Sequence, residues 1–295
     1  MGFGHVGRCI ALAEAFGSLG WRPAFRVRDA SVALEIRARG FDATAGPFPA
    51  DVSIVDSYRN ARAMVKDARM HSSVVAAIDD LHQLDGKDAD WLIRPSLGER
   101  AGGHLLGGAP FVLLRREYWS VRPRRRHGKV RDVLVTLGAF PALSELRRMT
   151  RLVDAAIPGA RIHVALGLRS WSDPFSGSSI VVHRRLSSLR DLIRASDLVI
   201  TAGGQTMYEC LALGTAAVVV VTAENQRRQY RAAVRAGAVV GGGILARAIG
   251  SRRLQGAISE LARSSEMRAR LARRGAGLVD GKGAIRVAQR IAGVR

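Results

Sequence analysis

The chain has 295 residues, 46 Lys+Arg against 25 Asp+Glu for a formal net charge of +21, 47% hydrophobic and 5% aromatic residues, and two cysteines. That length exceeds what one hydrophobic core usually serves and suits two domains of ordinary size. Two cysteines exclude a disulfide framework and favour a reducing, cytoplasmic setting, the sparse aromatics exclude a stacking platform for single strands, and no apolar stretch is long enough to cross a bilayer.

The chain opens on Gly2-Phe3-Gly4-His5, after which Val6, Cys9, Ile10, Ala13 and Phe16 recur at helical spacing until Gly20. No basic leader precedes an apolar run, and Glu14 interrupts the first apolar segment, so no secretory signal is read. Strands are predicted at 24–27, 52–55, 74–78, 91–93 and 111–114, with helices at 30–39 and 59–70. The stretch Val121-Arg122-Pro123-Arg124-Arg125-Arg126-His127-Gly128 has no apolar period and reads as a linker. A second series follows: a strand at 133–136, a helix at 143–156, then strands at 162–166, 180–182 and 198–201. A helix at 206–212, a strand at 216–221 and a helix at 226–236 come next, and two or three helical stretches close the chain from 252 to 295. Such alternation is the signature of α/β layers with parallel strands. The expected architecture is two doubly wound Rossmann-type domains, residues 1–127 and 128–295, facing each other across a cleft.

A glycine turn that binds phosphate should follow a strand, yet only Met1 precedes Gly2. The sequence therefore predicts a strand encoded just upstream, which would be central to the first sheet.

Candidate chemistry gathers at the ends of predicted strands. His5 sits beside Gly2 and Gly4 where its helix begins, and a neutral imidazole there can act as general base toward water or an acceptor hydroxyl. The alternative is an N-terminal polar residue with no task. Thr201-Ala202-Gly203-Gly204-Gln205-Thr206 follows an apolar strand and opens a helix, the context of a phosphate loop; the alternative is a tight crossover without ligand. Thr206 adds a hydroxyl, and Glu209 one turn on can accept from ribose hydroxyls or simply stabilise the helix dipole. Ala223-Glu224-Asn225-Gln226 follows the next strand; Asn225 alone could cap a helix, whereas Glu224, Asn225 and Gln226 together suit sugar or phosphate. Asp56-Ser57-Tyr58 and Asp79-Asp80 end strands of the first half. Gly4, Asp56 and Tyr58 read as substrate contacts, Tyr58 as a hydrogen-bond donor, and Asp79 and Asp80 as structural or at most as orienting His5. The remaining histidines lack metal-ligand spacing, and neither a metal nor a cofactor is expected. Cys9 and Cys210 are expected on the apolar stripes of their helices.

The positive charge is almost all arginine, with Lys66, Lys87, Lys129 and Lys282 the lysines, and is spread through the helices. It reads first as solvated helix faces. It also admits peripheral contact with an anionic surface, and a non-catalytic polyanion binder is a third functional reading, although no specific nucleic-acid module is present.

Taken together, Gly2-Phe3-Gly4-His5-Val6-Gly7-Arg8-Cys9, Val55-Asp56-Ser57-Tyr58, Ile78-Asp79-Asp80-Leu81, Leu113-Leu114-Arg115-Arg116-Glu117-Tyr118, Ala202-Gly203-Gly204-Gln205-Thr206-Met207-Tyr208-Glu209 and Ala223-Glu224-Asn225-Gln226 resemble the hydrolase of pseudaminic acid biosynthesis. That family removes UDP from a 2,4-diacetamido-2,4,6-trideoxy sugar and lies within the GT-B-like superfamily that includes MurG. The resemblance implies metal-independent cleavage of the anomeric C–O bond of a UDP-sugar by a monomer. The pyrophosphate would lie on Gly203, Gly204, Gln205 and Thr206, the ribose near Glu209, the sugar against Tyr58 and Asn225, and His5 would activate water. A GT-B glycosyltransferase passing the sugar to an acceptor hydroxyl is the alternative, because water and an alcohol need the same base. Gly7 stands where the family usually carries methionine, Leu137-Gly138-Ala139 where a double-glycine loop is common, and Arg94-Pro95-Ser96 where a polar stretch is common.

Overall fold

A computed structural model describes residues 3–121, 128–139, 141–167, 175, 179–184 and 186–293. The chain divides into two compact units, Met1–Trp119 with Gly281–Arg295, and Ser120–Asp280.

The first unit contains α1 (Phe3–Ser18), β1 (Ala24–Arg26), α2 (Ala30–Ala38), β2 (Asp42–Thr44), β3 (Ala50–Asp56), α3 (Ala61–Arg69), β4 (Ser72–Ile78), β5 (Trp91–Arg94), β6 (Leu105–Gly107) and the last helix of the chain, α11 (Gly283–Ile291). Strands β3-β4-β5-β6 form a parallel sheet in that order, and β1 pairs with β2 in a separate parallel pair. Among the described residues β1 pairs only with β2, and β3 only with β4. α1 is apolar on two sides because it serves both sheets. Ala11, Leu12, Ala15 and Phe16 pack with Ile78, Ile93 and Leu113, while Val6 and Ile10 meet Ile36 of α2 and the rings of Phe25 and Phe41. Asp29 caps α2 by accepting from the amides of Ser31 and Val32, at 2.9 and 3.2 Å.

Four expectations are corrected here. Residues 111–114 are not a strand: Pro110, which fixes its own φ and lacks an N–H, sits in a 3-10 turn at Ala109–Phe111, and the neighbouring strand is β6. The helix at the start begins at Phe3, so Gly4 and His5 lie in its first turn rather than in a turn before it; Gly2 is outside the described residues. The close of the chain does not stay with the second unit. α11 packs its Ala284, Val287, Ala288 and Ile291 into the core of the first. Two glycines allow that approach: a Cβ on Gly281 would overlap the Tyr118 carbonyl oxygen, and one on Gly283 the Val112 carbonyl oxygen. The break between units falls at 119/120 rather than 127/128, and residues 122–127 of the expected linker lie outside the described residues.

The second unit contains β7 (Asp132–Thr136), α4 (Leu143–Ala156), β8 (Arg161–Ala165), β9 (Ile180–His183), α5 (Arg190–Ala195), β10 (Leu198–Ala202), α6 (Gln205–Leu213), β11 (Ala217–Val221), α7 (Arg227–Arg235), β12 (Val240–Ile244), α8 (Leu245–Ala248), α9 (Arg252–Arg263) and α10 (Ser265–Leu278). Its six strands are parallel in the order β12-β11-β10-β7-β8-β9. This is the doubly wound arrangement, and the winding reverses between β7 and β10. β10 and β11 are buried along their whole length, which is why they read as unbroken apolar runs. β12 escapes a pattern reading because the three central residues of Val-Gly-Gly-Gly-Ile lack side chains. A Cβ on Gly241 would stand 2.7 Å from the Tyr230 hydroxyl, and one on Gly242 2.7 Å from Val220. In this unit Arg268 departs from the solvated-face reading: it is buried and donates to the carbonyls of Leu261 (2.9 Å), Ala262 (2.6 Å) and Gly128. Among the described residues no helix is long and apolar enough to cross a membrane.

Candidate active site

In the first unit the carboxyl ends of β3 and β4 and the first turns of α1 bring five polar side chains together. His5 Nδ1 lies 2.7 Å from Asp56 Oδ1. Arg8, one turn along α1, donates through Nε to Asp56 Oδ2 (2.7 Å), through Nη2 to Asp56 Oδ1 (2.6 Å) and through Nη1 to Asp80. The Tyr58 hydroxyl donates to Asp80 Oδ2 at 3.0 Å, its ring meets that of His5 edge-on with centroids 4.1 Å apart, and the Arg8 guanidinium lies over it. The Cys9 thiol points at Asp56 Oδ2 from 3.5 Å, so this cysteine faces the polar cluster rather than an apolar stripe.

Burial by itself would raise the Asp56 carboxyl. The hydrogen bonds from Arg8 and His5 and the Arg8 charge outweigh it, and the group ends below the ordinary carboxylate range. Burial works against the Arg8 charge, yet Asp56 and Asp80 hold the guanidinium well above its usual value. Asp56 is therefore a carboxylate, which only accepts, and its 2.7 Å contact requires the proton to sit on His5 Nδ1. The 3.2 Å approach of Arg8 Nη2 to Nδ1 is then a close passage of two donors that share Oδ1. In its neutral form the imidazole then has its lone pair on Nε2, which makes no hydrogen bond among the described residues, and the side chain is 13% exposed. A neutral ring so oriented can take a proton.

The structure thus brings His5, Asp56 and Tyr58 together, but in roles the sequence did not separate. Asp56, offered as a substrate contact, is occupied by Arg8 and His5, and the hydroxyl of Tyr58 is directed at Asp80. Arg8 was missed altogether, although its position three residues after His5 on one helix face was a usable signal. The neighbouring aspartates point apart. Asp79 accepts from Arg94 (2.8 Å) and from the amides of Gln83 (2.8 Å) and Leu84 (3.3 Å), which organises the loop after β4.

In the second unit the turn between β10 and α6 lies at the switch point of the sheet. Gly203 donates to the Val220 carbonyl at 2.9 Å, and Gly204, the N-cap of α6, has no side chain to bond the first-turn amides. Cβ atoms added to Gly203 or Gly204 would find the nearest protein atoms at 3.5 and 3.7 Å. Gln205 and Thr206 are partly exposed in the first turn of α6, while Glu209 is buried one turn later. Burial first, and then the Glu209 carboxylate, keep the adjacent Cys210 thiol well above its ordinary value. Gln229 of α7 donates to the Gly203 carbonyl and accepts from the Tyr208 hydroxyl at 3.0 Å, a brace under the turn that no sequence pattern indicated. Glu224, Asn225 and Gln226 form a 3-10 turn after β11. Glu224 pairs with Arg227 at 2.8 Å, and the side-chain Oε1 of Gln226 accepts from the Thr222 amide (3.0 Å) and hydroxyl (3.1 Å). Gln226, not Asn225, holds the cap position of α7, and Asn225 is exposed. Among the described residues no group of three or more His, Cys, Asp or Glu is placed to hold a metal ion.

Residues 175–283 match the glycosyltransferase family 28 C-terminal domain. Uncharacterized protein MJ1062 of Methanocaldococcus jannaschii is 22% identical over 78% of this chain and 55% of its own length, so the chain spans about half the length of that curated relative. Among solved structures, Acinetobacter baumannii MurG superposes with a TM-score of 0.70 at 10% identity, covering 98% of this chain and 96% of MurG. The glycotransferase of kitacinnamycin gives 0.66 at 17% identity, covering 98% and 96%. The S. aureus MnaA–UDP co-structure gives 0.65 at 12% identity, covering 98% and 93%. The chain has the GT-B fold, with two Rossmann-like α/β units.

Proposed function

We propose that this glycosyltransferase-like protein is a nucleotide-sugar hydrolase that cleaves the anomeric C–O bond of a UDP-sugar, releasing UDP and free sugar. The observation that carries the reading is the His5–Asp56 contact, which leaves Nε2 of a neutral imidazole as proton acceptor. Water attacks the anomeric carbon and gives its proton to Nε2; the C–O bond breaks with its electron pair leaving on the β-phosphate oxygen. UDP is a good leaving group, so helix-terminal amides can stabilise the departing charge. Gly203, Gly204, Gln205 and Thr206 are the proposed diphosphate contacts, with Glu209 toward the ribose and Tyr58, Asn225 and Gln226 toward the sugar. The placement of the glycine turn at the switch point supports this assignment, as does the UDP held by the similar S. aureus MnaA.

The test is incubation with a panel of UDP-sugars, with and without added acceptor alcohols. UDP and reducing sugar should appear in equal amounts without acceptor, and His5→Ala should abolish the release. Sugar transfer strictly dependent on an acceptor would assign the glycosyltransferase reading instead.

A further inference from the structure

We propose that Arg8 is the positioning residue of this site: its guanidinium clamps the Asp56 carboxylate against His5 Nδ1 and ties that pair to Asp80 and Tyr58, so that the imidazole is held in the tautomer with Nε2 unprotonated. The inference rests on the reading of His5 as a base only for its kinetic consequence. Its structural content stands alone.

Geometry sets Arg8 apart from the other arginines. Its side chain is 8% exposed and Asp56 4%, and the guanidinium uses three nitrogens on two carboxylates. The fork of Nε and Nη2 on the two oxygens of Asp56 is bidentate, which fixes the plane of the carboxylate as well as its charge. A lysine supplies the charge but not the plane. Nη1 reaches Asp80, which also receives the Tyr58 hydroxyl, and the Tyr58 ring lies edge-on to His5. The imidazole is thus held at Nδ1 by a carboxylate and against its ring by a tyrosine, and one guanidinium orders both. The groups facing His5 are Asp56, Arg8 and Tyr58; Asp80 and the Cys9 thiol complete the cluster. Without Arg8, Asp56 and Asp80 would face His5 with no guanidinium between them, and an added proton would go to the imidazole, a stronger base than either carboxylate. The resulting imidazolium carries protons on both Nδ1 and Nε2, which removes the base.

Long-range proton–nitrogen spectra of histidine- and arginine-labelled full chain test this without substrate. In the unaltered protein the His5 signals should show the Nδ1–H tautomer at neutral pH, and the Arg8 Nε–H should exchange slowly with solvent. A rapidly exchanging Arg8 Nε–H, or an Nε2–H tautomer, overturns the proposal whether or not any variant folds. Arg8→Gln should place a proton on His5 Nε2 at neutral pH, and Arg8→Gln with Asp80→Asn, which removes one of the two carboxylates left without the guanidinium, should do the same in a more stable protein. Retention of an unprotonated Nε2 in either folded variant also overturns it. Arg8→Lys should restore part of the tautomer preference. In the UDP-release assay Arg8→Gln should lower kcat about 10–100-fold with KM little changed, the scale seen when outer-shell partners are lost. Tautomer loss with undiminished UDP release would leave the role of Arg8 standing and remove His5 as the base.

Discussion

His5 Nδ1 and Asp56 Oδ1 stand 2.7 Å apart, joined by residues from the first turn of a helix and the last position of a strand 51 residues later. One helical turn after His5, Arg8 closes on the same carboxylate, so the acceptor that fixes the imidazole is itself fixed. The pairing explains why a histidine at a helix start is more than a polar end group: its orientation is set from both elements.

Asp56→Asn keeps the shape of the side chain but removes the obligatory acceptor. UDP release should fall at least ~100-fold with little change in KM, because a ring in the wrong tautomer loses its proton acceptor rather than its substrate. Steady-state rates on the best UDP-sugar check this. Asp56→Ala should in addition destabilise the first unit by about 3–5 kcal/mol, since Arg8 is left as a buried charge short of its main partner. Denaturant midpoints measure that.

Acidification should weaken the protein in two separate windows. His183 is held below the ordinary histidine range by burial and then by neighbouring His163, which lies 2.9 Å away and contacts Asp132 at 3.1 Å. The unfolded chain then binds more protons than the folded one. The contribution is present above ~6.5 and is lost as pH falls through the lower folded value. Asp56 is also held low, so its contribution is present above ~3.9 and is lost at still lower pH. Thermal melts from pH 8 to 3 should show both losses, with His183→Gln removing the first and Asp56→Asn the second.

Gly204→Ala tests the diphosphate assignment separately from the base. The nearest protein atom to the new methyl is 3.7 Å away, so stability should change by no more than ~0.5 kcal/mol. UDP affinity by calorimetry should fall about 10-fold or more, because the methyl stands where a phosphate must approach the backbone. Gln229→Leu, which removes the brace on the Gly203 carbonyl, should weaken UDP in the same direction. Unchanged affinity in both would move the nucleotide away from this turn.

Gly283→Ala should destabilise the first unit by about 1–3 kcal/mol or more, because the added Cβ overlaps the Val112 carbonyl and pushes α11 off its seat. Nearby Gly277, with open space around its Cβ position, is the control and should tolerate alanine. Melting temperatures of the two variants decide.

The α/β class, the parallel strands of the second unit and the glycine turn after β10 were legible because they are local. Fully buried strands are continuous apolar runs, and a strand–glycine–helix sequence is its own context. β2, β6 and β12 were not legible: they are short, or built of glycine whose value lies in the neighbours it lets in. Nor was α11, whose apolar face reads as helix but whose partner is α1 at the other end of the chain. At the candidate site the residue types were visible and their roles were not. His5, Asp56 and Tyr58 could be picked out as strand-end and helix-start polar groups. Which of them accepts, which donates, and that Arg8 contacts all three depended on distances between residues 48 to 51 positions apart in the chain. Periodicity reports what a residue's own element presents; hydrogen-bond direction and charge balance are properties of the partners, and only the folded chain chooses those.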